Sequence, residues 1–249
     1  MEGMLPDSAV GQTGGTQPRE GAAVNRNQQP WTLNIDIDRP DRDLVAALWE
    51  IETGNLADAS PLVQVFPSAI RRLVGQQDFC GPALTVWTNP GDLLYPLRAA
   101  DEVQPGDVVV IDGGGWTEAA LIGEIFAGVV AERGGVGIVV DGAIRDLEGI
   151  AETGLSAYAR ASVPGKQTLA GPGAINVPID CSGIRIEPGD IVRADATGIV
   201  VVPAAAAAEV LAAAREVARA EAGWVAAAKE RGLAGALGLD EVIAANRPG

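Results

Sequence analysis

Two runs of apolar, mostly β-branched residues, Val108-Val109-Val110-Ile111 and Val136-Gly137-Ile138-Val139-Val140, constrain the fold of this chain more than any other feature. Neither alternates with polar residues as a half-exposed strand would, so each reads as a strand covered on both faces. Between them Gly123 to Arg133 has helical character, and Gly134-Gly135 closes it. Strand, helix and strand within about 30 residues make a βαβ crossover, which is right-handed in nearly all sheets. The second strand runs on into Asp141-Gly142-Ala143-Ile144-Arg145-Asp146.

Around this unit the chain keeps an α/β pattern. Leu44 to Ile51 has helical spacing, Thr53-Gly54-Asn55 reads as the turn that ends it, and Asp58-Ala59-Ser60 reads as the start of a second short helix. Gly81 to Thr88 alternates like a strand. Pro90-Gly91-Asp92 follows as a turn, and a helical piece from Leu93 to Glu102 stops at Pro105-Gly106-Asp107. Gly113-Gly114-Gly115 leaves the first buried strand, and Thr117 to Ile122 reads as helical, which sets Gly123 between two helical pieces. Beyond the crossover come short strand candidates at Ser156 to Ser162, Ala174 to Pro178, Ile184 to Ile186, Ile191 to Ala194 and Gly198 to Val202. Turns at Pro188-Gly189-Asp190 and Asp195-Ala196-Thr197-Gly198 make the last three a meander. Pro203 suits a first helical turn, and an Ala-rich helix covers about 203–231.

With 249 residues, 47% of them hydrophobic, the chain can bury the core of one domain, expected over residues 31–249. Residues 1–30, rich in Gly, Gln, Pro, Asn and Thr, read as a disordered N-terminal extension without the basic-then-apolar layout of a secretory signal. No run of about 18 apolar residues occurs, so a soluble, cytoplasmic protein without membrane partners is expected. A net charge of −15 opposes phosphate neutralisation, which argues against nucleic acid and for small-molecule or protein partners.

Histidine is absent, which removes the commonest general base, the commonest transition-metal ligand and every Ser-His or Cys-His arrangement. Cys80 and Cys181 are too few for a disulfide framework or a cysteine metal site and read as reduced core thiols. Any metal must then be held by oxygen, which suits Mg²⁺ or Mn²⁺ rather than zinc. The two lysines, Lys166 and Lys229, read as solvent-facing, leaving few candidates for Schiff-base chemistry.

The glycines at 113–115 lack the spacing of a dinucleotide fingerprint or a phosphate loop and read as a tight turn. Gly123 has two readings: an interruption that leaves the amides of Glu124, Ile125 and Phe126 free to receive an anion, or a glycine needed for close helix packing. Arg145 and Asp146 lie just past the end of a buried strand, where ligand sites of α/β sheets gather. Arginine there can clamp a carboxylate or enolate, and aspartate can bind a hard cation; the plainer reading is a solvated turn.

These residues resemble a known family that joins the class II pyruvate aldolases acting on 4-hydroxy-4-methyl-2-oxoglutarate and 4-carboxy-4-hydroxy-2-oxoadipate to the regulator of ribonuclease activity A. The pattern is Pro105-Gly106-Asp107 to Asp112, Gly123-Glu124-Ile125-Phe126-Ala127, and Arg133-Gly134-Gly135 through Asp141-Gly142-Ala143-Ile144-Arg145-Asp146. Leu56-Ala57-Asp58-Ala59, Gly81 to Val86 and Pro188 to Pro203 match as well, so the resemblance spans roughly residues 40 to 245. It implies an αββα sandwich assembling as homotrimers or hexamers with active sites between subunits. By position, the backbone of Gly123 to Phe126 would bind a 2-oxo acid carboxylate, Arg145 its keto oxygen, and Asp146 a Mg²⁺ or Mn²⁺ ion. Glu124 would act through a metal-held water, and Glu221 would reach the ion's water shell from the neighbouring subunit, unless it is simply a solvated helix residue. Phe126 departs from the smaller aliphatic residue usual there, which implies a change of pocket shape.

The implied activity is retro-aldol cleavage of a 4-hydroxy-2-oxo dicarboxylic acid to pyruvate through a metal-stabilised enolate, with oxaloacetate decarboxylation as a side activity. A metal-held water or hydroxide serving as base would make histidine unnecessary. Two alternatives stay open: a non-catalytic ribonuclease-regulator-like binding protein, and a family member repurposed for another enolate-based lyase reaction with a pocket shaped by Trp116, the triple glycine and Phe126.

Overall fold

The computed structural model describes residues 30–247. The extension read at residues 1–30 lies outside them except for Pro30. The first half of the chain forms β1 (Thr32–Leu33), α1 (Arg42–Trp49), α2 (Thr53–Ala59), β2 (Gln64–Val65), β3 (Arg71–Val74), β4 (Phe79–Thr88), α3 (Leu94–Ala100), β5 (Val108–Ile122) and α4 (Glu124–Glu132). The second half forms β6 (Gly137–Ile144), α5 (Leu147–Glu152), β7 (Ala157–Ser162), β8 (Gly173–Ile175), β9 (Ile179–Cys181), β10 (Ile184–Ile186), β11 (Ile191–Ala194), β12 (Ile199–Val202), α6 (Ala207–Leu237) and α7 (Leu239–Asn246).

The crossover forms where the apolar runs place it. β5 pairs parallel with β6 in a register that sets Val108 opposite Gly137 and Ile111 opposite Val140, and α4 connects the two. Because side chains alternate across a strand, Val109 and Ile111 reach one core while Val108 and Val110 reach another. That division explains why both strands are apolar without interruption. On the first face α3, α4 and α5 cover the sheet, with Phe126, Val130 and Ile150 packed on Leu84, Val109 and Ile138. On the second face Val110, Val139 and Tyr158 pack against Ile179, Ile186, Val192 and Val201 from the strands of the second half.

The second half adds its own helical cover. Ile191, Val200 and Val202 present their outer faces to Leu48, Leu56, Val210, Leu211 and Ala214 of α1, α2 and α6. The layers therefore run helix, sheet, sheet, helix, the expected αββα sandwich. One strand belongs to both sheets: β4 pairs antiparallel with β11 over Phe79 to Pro82 and parallel with β5 over Ala83 to Trp87. At that junction Gly81 lies so close to the carbonyl of Gly106 that no side chain fits.

Three local readings are corrected. Thr117 to Ile122 is strand, not helix: β5 bulges after Asp112 and rejoins β6 with Trp116 opposite Gly142, Ala120 opposite Ala143 and Ile122 opposite Ile144. Leu121 drives this, because its side chain fills the space above Gly113 and Gly142 in the core. Thr53-Gly54-Asn55 starts α2 rather than ending α1, because Asp195, far away in sequence, accepts from the Thr53 amide at 2.9 Å. The three-strand meander is also absent: β10 pairs with β9 in a separate two-stranded ribbon, while β11 pairs with β12 and β4.

Candidate active site

The site grows from the two ends of the crossover. Gly123 stands between β5 and α4 as the helix N-cap, in extended conformation (φ −148°, ψ −163°) with no side-chain cap. Its carbonyl accepts the first helical bond, from Ala127 at 3.1 Å, so the amides of Glu124, Ile125 and Phe126 face outward from the positive end of the helix. The residue is strand-to-helix rather than helix-to-helix, yet the amide array expected of it is present. A glycine is required here for a local reason: a β-carbon would run into the Asp146 carboxylate and crowd Arg145.

Arg145 and Asp146 come from the other end, where β6 gives way to α5. The Arg145 amide bonds the Ile122 carbonyl at 3.1 Å, which fixes the two chain ends side by side. Asp146 caps α5 in the left-handed region (φ 54°, ψ 46°), an uncommon conformation for a non-glycine residue and one that gathers at functional sites. Its carboxylate accepts from Arg145 Nε at 3.2 Å, while Arg145 Nη1 donates to Gln167 Oε1 at 3.0 Å. Arg145 and Asp146 side chains are 40% and 39% exposed, so the pair is open to a ligand. A cavity of about 190 Å³ lies on one side, lined by Gly123, Ile125, Arg145 and Gln167 with apolar walls from Leu93 and Leu97. A hollow of about 340 Å³ lies on the other, bounded by Ser162 and Pro164, and it too includes Arg145 and Asp146.

The structure thus brings together Gly123, Glu124, Ile125, Phe126, Arg145 and Asp146. Glu124, at the first position of α4, extends over Gly149 of α5, where a larger residue would displace it. Ile125 is 77% exposed, whereas the Phe126 side chain is buried and packs into the core behind the cavity. Phe126 also lines the cavity of about 190 Å³, so the departure there bears on pocket shape as well as on packing. Glu221 is not with this group: it accepts from Asn55 Nδ2 at 2.6 Å, between α6 and α2 in the opposite helical layer. Lys166 and Lys229 are exposed. Gln167 was not singled out by sequence reasoning, and a loop glutamine 22 residues from its partner carries no motif that would have found it.

Burial raises both cysteine thiols, Cys80 up to about 12 despite the nearby Arg193, and Cys181 well above the usual thiol value. Neither is a nucleophile at neutral pH. Among the described residues no group of three or more His, Cys, Asp or Glu is arranged to hold a metal. The oxygen donors at the site are Asp146 and Glu124, a set that fits a hydrated hard cation such as Mg²⁺ or Mn²⁺, which keeps several waters and uses one or two carboxylates. It does not fit zinc, whose sites need three or four protein ligands.

Comparison with known proteins gives the same direction. A protein of Halalkalibacterium halodurans provisionally named 4-hydroxy-4-methyl-2-oxoglutarate aldolase is 37% identical over 161 residues, covering 65% of this chain and 77% of the relative. A protein of Pseudomonas aeruginosa with the same provisional name is 39% identical over 154 residues, covering 61% of this chain and 94% of the relative. The crystal structure of Streptomyces coelicolor RraAS2, described as an unusual member of the RNase ES inhibitor RraA protein family, superposes with a TM-score of 0.65 at 31% identity, over 74% of this chain and 96% of that one. The RraA-like family, described as Aldolase/RraA, matches residues 53–201, which include every residue gathered at the site but not α6, and the chain belongs to that family.

Proposed function

We propose that the chain is a divalent-metal-dependent lyase that cleaves a 4-hydroxy-2-oxo dicarboxylic acid to pyruvate, with oxaloacetate decarboxylation as a side activity. The observation that carries this reading is the placement of Arg145 and Asp146 directly against the free amides of α4, with Gly123 cleared of any side chain between them. The names of the aldolase relatives support the reaction class.

In this reading the α4 amides and helix dipole hold the substrate carboxylate. Arg145, held by Asp146 and Gln167, donates to the 2-oxo oxygen. The proton of the C4 hydroxyl leaves through a water beside Glu124, the C3–C4 bond breaks, and its electron pair moves toward C2 and its oxygen, where Arg145 faces the developing charge. The second carbonyl compound departs, and C3 takes up a proton to give pyruvate. A Mg²⁺ or Mn²⁺ ion held by Asp146, with Glu124 and a neighbouring subunit's Glu221 acting through water, would supply additional positive charge at that oxygen. The shape of the site, open on two sides, is consistent with completion by a neighbour in a homotrimer or hexamer.

A screen of 2-oxo acids with Mg²⁺ or Mn²⁺, following pyruvate release, tests the reading. Turnover that is abolished by a chelator and restored by the metal is the expected result; turnover indifferent to chelation would remove the metal from the account. The name of the Streptomyces neighbour favours one second reading, a binding protein that restrains a ribonuclease. Recovery of a nuclease by the full chain, with no 2-oxo acid turned over, would select it. The described residues contain no helix long and apolar enough to cross a membrane.

A further inference from the structure

Gln167 sits at the cavity beside Arg145 with one half of its amide used and the other half not. Arg145 can only donate, so the atom that faces its Nη1 at 3.0 Å is Oε1, and this fixes which way the amide points. Gln167 Nε2 is consequently the other arm. It is buried and has no hydrogen-bond partner among the described residues. A buried donor left unpaired is costly, and such groups call for an explanation. The loop that carries it is held firmly: Asp92, itself 1% exposed, accepts from Thr168 Oγ1 and from the Ala170 amide, both at 2.7 Å, and from the Leu94 amide at 3.0 Å. The Leu93 amide also bonds the Thr168 carbonyl at 2.9 Å. A side chain so anchored does not owe its unpaired donor to a loose loop.

The cavity that Gln167 lines also contains Gly123 and Ile125 at the start of α4 with Arg145 and Asp146, and its remaining walls, at Leu93, Leu97, Ile122 and Phe126, are apolar. No acceptor among the described residues answers Nε2. We infer that Gln167 is a substrate-binding residue: Oε1 orients the Arg145 guanidinium, and Nε2 donates to a carboxylate oxygen of the small 2-oxo acid held at the N-terminus of α4. This rests on the proposed lyase reading and deepens it, since it supplies a side-chain donor for the substrate carboxylate in addition to the backbone amides. The ligand class is a short 2-oxo carboxylate whose acid group enters the apolar-walled cavity.

The test is isothermal titration of oxalate, a planar dianion shaped like the pyruvate enolate, into the full chain with Mg²⁺ present. Two variants separate the roles of the two amide arms. Gln167→Glu keeps an acceptor for Arg145 but removes the donor; Gln167→Met removes both without adding charge. Losing a hydrogen bond to a charged group predicts oxalate affinity about 10- to 100-fold weaker in both variants. The thermal midpoint of Gln167→Glu should not fall below the wild-type value, because the acceptor for Arg145 is kept and a buried unpaired donor contributes no stability to the free protein. In turnover of oxaloacetate, Gln167→Glu should raise KM more than it lowers kcat, as expected when binding common to ground and transition states is removed. Affinity within twofold of wild type in both variants overturns the inference. Weakening in Gln167→Glu alone would reduce it to charge repulsion, and weakening in Gln167→Met alone to positioning of Arg145; either result also overturns it. Failure of the wild-type chain to bind oxalate would instead defeat the lyase reading itself, and the role of Gln167 with it.

Discussion

At the scale of single residues, the site depends on a clearance and a pair of charges. Gly123 adopts an extended conformation open to any residue, so its need for glycine is steric and not torsional. Gly123→Ala is expected to push the Asp146 carboxylate out of place and lower turnover at least tenfold while leaving the circular dichroism spectrum unchanged; an alanine variant with wild-type turnover would show that the close approach is not used. Arg145 and Asp146 are about two-fifths exposed, and an ion pair of that kind contributes under about 1 kcal/mol. Asp146→Asn should therefore cost little stability, yet abolish metal-dependent activity and Mg²⁺ binding by calorimetry. The cysteines behave in the opposite way. With Cys80 raised to about 12 by burial and Cys181 also pushed well above its usual value, native protein at pH 8 should resist thiol reagents that label it fully after denaturation.

At the scale of elements, α2 shows why part of the fold was not legible in the sequence. Helix starts are read from local capping residues, but the Thr53 amide and hydroxyl are both answered at 2.9 Å by Asp195, 142 residues away. The same carboxylate accepts from the Thr197 amide at 2.8 Å and closes the β11–β12 turn. Burial raises the Asp195 pKa, but the hydrogen bonds from Thr53, Thr197 and Gly198 outweigh it, and the net direction is down from 3.8. A carboxylate with a lowered folded pKa stabilises the fold fully above its unfolded pKa and loses that contribution as pH falls through the folded value. Asp195→Asn is expected to cost about 1–3 kcal/mol near neutral pH, and the gap from wild type should narrow below about pH 4 in urea titrations. A gap that stayed constant with pH would contradict the assignment. Thr117 to Ile122 failed for a related reason. Glu118, Ala119 and Ala120 are good helix formers, but the register of β5 on β6 and the space for Leu121 above two glycines decide in favour of strand. By contrast the crossover was legible, because Val108–Ile111 and Gly137–Val140 are buried on both faces and no surface requirement blurred their pattern. At the site, Gly123, Arg145 and Asp146 could be found from their positions at element ends, whereas Gln167 is defined only by a contact.

At the scale of the whole molecule, α6 is unfinished by the chain alone. Its first turns bury Ala207, Val210, Leu211 and Ala214, but further along it exposes Trp224, Val225, Leu233 and Leu237, and α7 exposes Val242 and Ile243. The exposed residues of α6 bound a hollow of about 530 Å³ that includes Glu221. Apolar exposure on this scale supports the proposed homotrimer or hexamer. Trp224→Glu should shift the assembly to smaller species in light scattering, with the monomer still folded; an unchanged mass would place the contacts elsewhere. The central claim concerns what Arg145 and Asp146 do beside the α4 amides. It is tested most directly by pyruvate release from 4-hydroxy-4-methyl-2-oxoglutarate with Mg²⁺, wild type against Arg145→Ala. The account predicts clear release by wild type and a loss of about 100-fold or more in the variant. Equal release by both proteins would contradict it.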